Sequence, residues 1–124
     1  MADREGPIQA AIVAYLRAVL PADNIVAHVR NEVATRGGNA ARQIATAKRR
    51  GLVPGFPDLL VIRHHPLPLA CFEVKAEGNY ATPAQREIHD RLRALGCQVA
   101  VVRSVDDVRD CLREWHIPTS EVEA

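Results

Sequence analysis

Two strand-like runs constrain this chain more than anything else in it. Asp58 to Arg63 and Leu69 to Lys75 are built mainly from Leu, Val, Ile and Phe, and only His64-His65-Pro66-Leu67-Pro68 lies between them. So short a connection, with two prolines, turns the second run back along the first, which predicts a β-hairpin. The hairpin carries its charge at one end. Asp58 follows Gly55-Phe56-Pro57 at the mouth of the first strand, and Glu73-Val74-Lys75 closes the second. Side chains alternate along a strand, so Glu73 and Lys75 share one face while Val74 takes the other. Folding the hairpin therefore brings two carboxylates and an ammonium together.

The flanking sequence supplies a frame. A helix is expected from about Pro7 to Leu20, with Ile8, Ile12, Tyr15 and Val19 at helical spacing, Pro7 in the first turn and Pro21 as its stop. A strand follows from about Ile25 to Arg30. The polar stretch Asn31 to Pro57 holds a short helix, Ala40 to Arg50, between Asn39 as N-cap and Gly51 as terminator. After the hairpin, Thr82-Pro83-Ala84-Gln85 is a capping box with Pro at the first helical position, opening a helix whose apolar face is Ile88, Leu92 and Leu95. A strand at Gln98 to Arg103 and a last helix capped by Ser104, with the stripe Val108, Leu112 and Trp115, complete the order. The expected architecture is α/β, a mixed central sheet of about four strands flanked by helices. One domain spans 1–118, with a basic insert at 31–57 and a loose acidic tail at 119–124.

Aromatic residues make up 4% of the 124 residues, so the core must be aliphatic. No apolar run approaches the roughly 20 residues that cross a bilayer, and the N-terminus lacks a signal-peptide pattern, which predicts a cytoplasmic chain with no membrane partner. Cys71, Cys97 and Cys111 are an odd number without CxxC spacing and are assigned to packing. His64 and His65 belong to a turn, and His28 and His89 read as surface histidines.

Two carboxylates beside a lysine suit a hard divalent cation, with water filling the remaining positions. Such a cation lowers the pKa of bound water and neutralises charge on a phosphate, while the lysine stabilises the transition state. Each piece alone is ordinary: a Glu-x-Lys on a strand is usually a local salt bridge, and a Pro-Asp before a strand is usually a turn. Two further polar residues sit at the inner ends of apolar stripes. Gln85 precedes Ile88 by three positions, and Glu5 bears the same relation to Ile8 if helical geometry reaches back that far. Either residue can equally be a helix-end group, Gln85 bonding back to Thr82 and Glu5 facing the helix dipole.

In combination these residues resemble the VRR-NUC domain, a branch of the PD-(D/E)XK restriction-endonuclease-like superfamily. The resemblance rests on Gly55-Phe56-Pro57-Asp58-Leu59-Leu60, Phe72-Glu73-Val74-Lys75, Thr82-Pro83-Ala84-Gln85 and Val101-Val102-Arg103-Ser104. Glu5-Gly6-Pro7-Ile8-Gln9 is similar to the family's N-terminal Glu-x-x-x-Gln helix, and Asn31-Glu32 to a polar pair of stand-alone members; the likeness runs from Glu5 to Cys111. It implies an αβββαβ nuclease core hydrolysing phosphodiesters with Mg²⁺ or Mn²⁺. Asp58, Glu73 and the Val74 carbonyl would be metal ligands, with Glu5 a helix-borne acid nearby. Lys75 would be the catalytic lysine and Gln85 the auxiliary residue. Small members are similar to dimeric junction resolvases, which implies a homodimer acting on branched DNA.

The net charge of +1 argues against a nucleic-acid binder only as an average. Residues 30–63 hold seven basic and two acidic side chains, whereas 104–124 hold two basic and six acidic. The excess leads into the acid pair, so Arg30, Asn31, Arg36, Arg42, Lys48, Arg49 and Arg50 are the expected DNA contacts, mostly arginines suited to bidentate phosphate binding. The competing reading is a catalytically idle DNA-binding module on the same fold.

Overall fold

A computed structural model describes residues 3–30 and 37–121. The elements run α1 (Glu5–Val19), β1 (Ile25–His28), α2 (Ala40–Arg49), β2 (Leu59–Ile62), β3 (Leu69–Val74), α3 (Pro83–Ala94), β4 (Gln98–Val102) and α4 (Val105–Glu114). The four strands form one sheet in the order β1-β2-β3-β4. β1 and β2 pair antiparallel, as do β2 and β3, the latter with Leu59 opposite Phe72. β4 returns parallel to β3 after the α3 crossover. The mixed four-stranded sheet flanked by helices is the architecture expected from the sequence, and the hairpin is present.

Helices α1 and α4 pack together over one face of the sheet. Ile12, Leu16 and Val19 of α1 and Val108 and Leu112 of α4 meet Val26, Leu59, Val61, Ala70, Phe72, Val74 and Val102 of the strands. Each fully buried Leu, Ile or Phe among them contributes about 1.5–3 kcal/mol. Trp115 closes the end of α4 against Phe72, with ring centroids 5.5 Å apart. The core is aliphatic apart from this pair and a half-buried Tyr15. Cys71 is buried, and that burial pushes its thiol up to about 12, so it behaves as packing.

Several local expectations change. Helix α1 begins at Glu5, two residues before Pro7. Asp3 is the reason: its Oδ1 accepts from the backbone N–H groups of Glu5 (3.1 Å) and Gly6 (2.8 Å), satisfying donors that a helix start leaves unpaired. On α3 the buried residue is His89, while Ile88 and Leu92 are half-buried and Leu95 is 80% exposed at the C-cap. The apolar stripe gives way there because the sheet face that α3 covers carries the Glu73 carboxylate, which selects polar neighbours. The tail is held as far as Glu121. Ser120 N donates to the Val19 carbonyl at 2.7 Å, one of the acceptors orphaned at the end of α1, and Arg109 Nε donates to Glu121 Oε2 at 3.2 Å. Among the described residues no helix is long and apolar enough to cross a membrane.

Candidate active site

The hairpin register decides where the acids fall. Leu59 faces Phe72, so the next pair outward is Asp58 and Glu73, side by side on the face opposite the α1–α4 core. Val74 points into that core, leaving Lys75 on Glu73's side as strand alternation requires. Asp58 Oδ2 accepts from the Val74 backbone N–H at 2.8 Å, which locks the carboxylate to the neighbouring strand.

The loop ahead of Asp58 is pressed onto the first turn of α3. Gly55 has φ +83°, and a Cβ there would lie 2.5 Å from the Ala84 carbonyl oxygen and 2.8 Å from Gln85 N. Only glycine permits both the left-handed backbone and that close approach. The contact brings the Gly-Phe-Pro-Asp turn and the capping box into one assembly.

Glu73 is 2% exposed. Its Oε2 accepts from Gln85 Nε2 at 3.3 Å, while Gln85 Oε1 accepts from the Thr82 backbone N–H at 2.8 Å. The glutamine is thus both the capping-box residue and a partner of the buried acid, one end of its amide serving each. The other carboxylate oxygen, Oε1, faces His89 Nε2 at 3.5 Å, and among the described residues neither buried atom has a hydrogen-bond partner. His89 is itself 2% exposed, not the surface histidine expected. It lies one helical turn after Gln85, and that i,i+4 spacing was the available signal.

Electrostatics follow from this crowding. Burial, and then the hydrogen bond and repulsion from Glu73, raise Asp58 to about 7, against the opposing Val74 N–H. Burial also raises Glu73, although Asp58 and the Lys75 charge pull it back down. Burial, followed by Arg93, lowers His89, which is therefore neutral near pH 7. Two desolvated carboxylates that resist joint ionisation are a poor arrangement by themselves and a good one around a divalent cation.

In the metal-free protein Asp58 links stability to pH. Asp58 is raised in the folded state, so its contribution to stability is complete below about pH 4 and lost as pH rises through 7. Solvent screening at this partly exposed group reduces the effect to on the order of 1–2 kcal/mol. In EDTA, Asp58→Asn should gain stability over wild type between pH 5 and pH 8 in urea unfolding. Parallel profiles for the two proteins would contradict the assignment. His89→Phe, which replaces the polar contact with Glu73 Oε1 at 3.5 Å by an apolar ring, should cost about 1–3 kcal/mol, and His89→Gln, which can donate to that oxygen, distinctly less. Equal unfolding midpoints for all three proteins would remove His89 from the site.

Glu5 comes into the same region from α1. Its Oε2 accepts from Ala76 N at 3.1 Å and Asn79 Nδ2 at 3.4 Å, tying the segment after β3 to the helix start. Glu5, Gln9, His28, Arg30 and Asp58 line a cleft of about 310 Å³. His28 is exposed and its Nδ1 lies 2.9 Å from the Asp58 carbonyl oxygen. Among the described residues no three His, Cys, Asp or Glu side chains converge to hold an ion unaided. Arg30 stands in the cleft wall, whereas Arg42, Lys48, Arg49 and Arg50 are exposed on or next to α2, which is in close backbone contact with none of the other described helices and strands. Asn31 and Arg36 lie outside the described residues.

The model of the VRR-NUC domain family matches residues 5–106, which takes in every residue of this assembly. The chain belongs to the VRR-NUC domain family. A relative, "Putative nuclease p44" of Acyrthosiphon pisum secondary endosymbiont phage 1, is 39% identical over 87 residues, covering 68% of this chain and 84% of the phage protein. A solved VRR_NUC domain protein superposes with a TM-score of 0.71 at 23% identity, over 95% of this chain and 93% of the other, and shares the fold. A second VRR_NUC domain structure gives 0.53 at 28% identity, over 91% and 97%. The matched region carries Glu5, Asp58, Glu73, Lys75 and Gln85, and it takes in α2 as well.

Proposed function

We propose that this VRR-NUC protein is a Mg²⁺- or Mn²⁺-dependent endonuclease that hydrolyses phosphodiesters in branched or otherwise structured DNA, working as a homodimer. The observation that carries the reading is the desolvated Asp58–Glu73 pair beside Lys75, with Glu73 clamped by Gln85. Asp58, Glu73 and the Val74 carbonyl would hold the cation, with Glu5 a helix-borne acid nearby. Two carboxylates and a carbonyl, with water completing the shell, are a normal Mg²⁺ donor set, and the strained proton economy of the pair fits it. When bound, the cation supplies Lewis acidity toward the phosphate and a more acidic water.

The remaining work belongs to the chain's own groups. Asp58 would ionise to hold the cation, its proton leaving to bulk water. Gln85 holds Glu73 in one orientation, so its carboxylate needs no reorganisation during the reaction. Lys75 places an ammonium on the acids' face, where it orients the attacking water and offsets charge gathering on the phosphate oxygens. Arg30 at the cleft and the four cations of the α2 region meet neighbouring phosphates, and such contacts make affinity fall with salt.

The test is a panel of four-way junctions, forks, flaps and linear duplexes incubated with Mg²⁺, Mn²⁺ or EDTA, for wild type beside Asp58→Ala. Cation-dependent cutting by wild type, strongest on branched DNA and lost in the variant, is expected. Equal products from both proteins would sink the reading, and tight DNA binding without cation uptake in calorimetry would favour an idle binding module.

A further inference from the structure

Beside the acid pair, on the side away from Asp58, lies a recess for which the cleavage chemistry has no use. It encloses about 480 Å³ and is lined by Glu77, Tyr80, Ala81, Arg86, Val101 and Arg103. The β3–β4 register sets Val101 beside Glu73, and continuing it past Val74 and Val102 sets Arg103 beside Lys75. Arg103, in the lining, therefore has its backbone one strand spacing, about 4.8 Å, from that of Lys75.

Tyr80 is 76% exposed, yet it is not loose. The Arg103 guanidinium lies over its ring at 5.3 Å from the centroid and also donates to the Asn79 carbonyl. Asn79 in turn donates to Glu5, and Arg4 donates to the Glu77 carbonyl at 2.7 Å, so the segment carrying Tyr80 is tied to both α1 and β4. Arg86 donates to the Ala81 carbonyl at 2.9 Å. Among the described residues both arginines thus have neutral carbonyl partners and keep their charge for a ligand, and Glu77 is the one acid in the lining. Arg103 covers one face of the ring, and its high exposure leaves the other to solvent. A fixed aromatic face flanked by two guanidinium groups suits a ligand that is flat at one end and anionic at the other.

We propose that Tyr80, Arg86 and Arg103 form a subsite for one unpaired nucleotide next to the bond being cut, its base stacked on the open face of Tyr80 and its phosphate held by the two arginines. The subsite rests on the endonuclease reading for its neighbour. It also deepens that reading, because a base inside a duplex has no free face, whereas forks, flaps and junctions supply one.

The test uses the full chain in EDTA with single-stranded DNA carrying one 2-aminopurine, followed by fluorescence titration. Wild type should quench the probe saturably, and Tyr80→Phe should match it. Tyr80→Ala should bind about ten-fold or more weakly and lose the quenching. Arg86→Ala should bind more weakly while the bound probe stays quenched. Absence of saturable quenching by wild type, or identical titrations for wild type and Tyr80→Ala, overturns the subsite. Cleavage is not needed for the readout. A protein that cuts with Mg²⁺ but is indifferent to Tyr80→Ala loses the subsite alone, and one that stacks the base but never cuts loses the endonuclease reading alone.

Discussion

Lys75→Ala is expected to lower the single-turnover rate of DNA cleavage by about 10²–10³-fold, the usual effect of removing one preorganised charge from a transition state. The backbone at this position is fixed by the bond from Lys75 N to the Val102 carbonyl at 3.0 Å, so the truncation removes the ammonium without displacing the strand end. Cation binding should persist, since Asp58, Glu73 and the Val74 carbonyl are untouched. A second consequence distinguishes charge from shape. The Lys75 charge holds the Glu73 carboxyl down against its burial, so its loss lets that carboxyl rise further. Whatever activity remains should then need higher pH, and Lys75→Arg should restore part of both the rate and the profile. A wild-type rate in Lys75→Ala at saturating Mg²⁺ would remove the lysine from the chemistry.

Gly55→Ala is expected to be strongly damaging for a change of one methyl group. The new Cβ would meet three backbone atoms of α3, the Ala84 carbonyl oxygen and carbon and Gln85 N, none of which can rotate aside. The left-handed backbone costs a non-glycine residue about 1–2 kcal/mol, and overpacking against a rigid neighbour adds about 1–3 kcal/mol. Urea unfolding should therefore show a loss of about 2–5 kcal/mol. If the loop instead lifts away to relieve the clash, Asp58 leaves its place opposite Glu73 and cleavage falls while stability recovers. Wild-type behaviour in both measurements would show that the loop is not clamped to α3. Gly78, also at positive φ, has open space where a Cβ would go, so Gly78→Ala controls for backbone strain without the clash.

Much of this molecule was legible before folding because its signals are local. The hairpin follows from two apolar runs and a five-residue turn, and the facing of Glu73 and Lys75 follows from strand alternation. The capping box at Thr82 and the Ser104 cap mark two helix starts with side chains that bond three residues ahead, as the structure shows. Boundaries erred where a distant or unexpected group intervened. Asp3 extended α1 back over a Gly-Pro pair.

The sequence by itself determined the order of the elements, the pairing of Asp58 with Glu73 and the family to which the chain belongs. All three depend on residue type and spacing along the chain, which short-range backbone geometry converts directly into structure. Only the tertiary structure decided what the acids meet. It put neutral His89 against the free oxygen of Glu73, gave Gln85 two partners where the spacing had offered a choice, turned Glu5 toward the segment after β3, and stood Arg103 under Tyr80. The physical reason is desolvation. A carboxylate taken out of water must find its partners among whatever side chains packing brings to it, and no periodicity within a single helix or strand states which those will be.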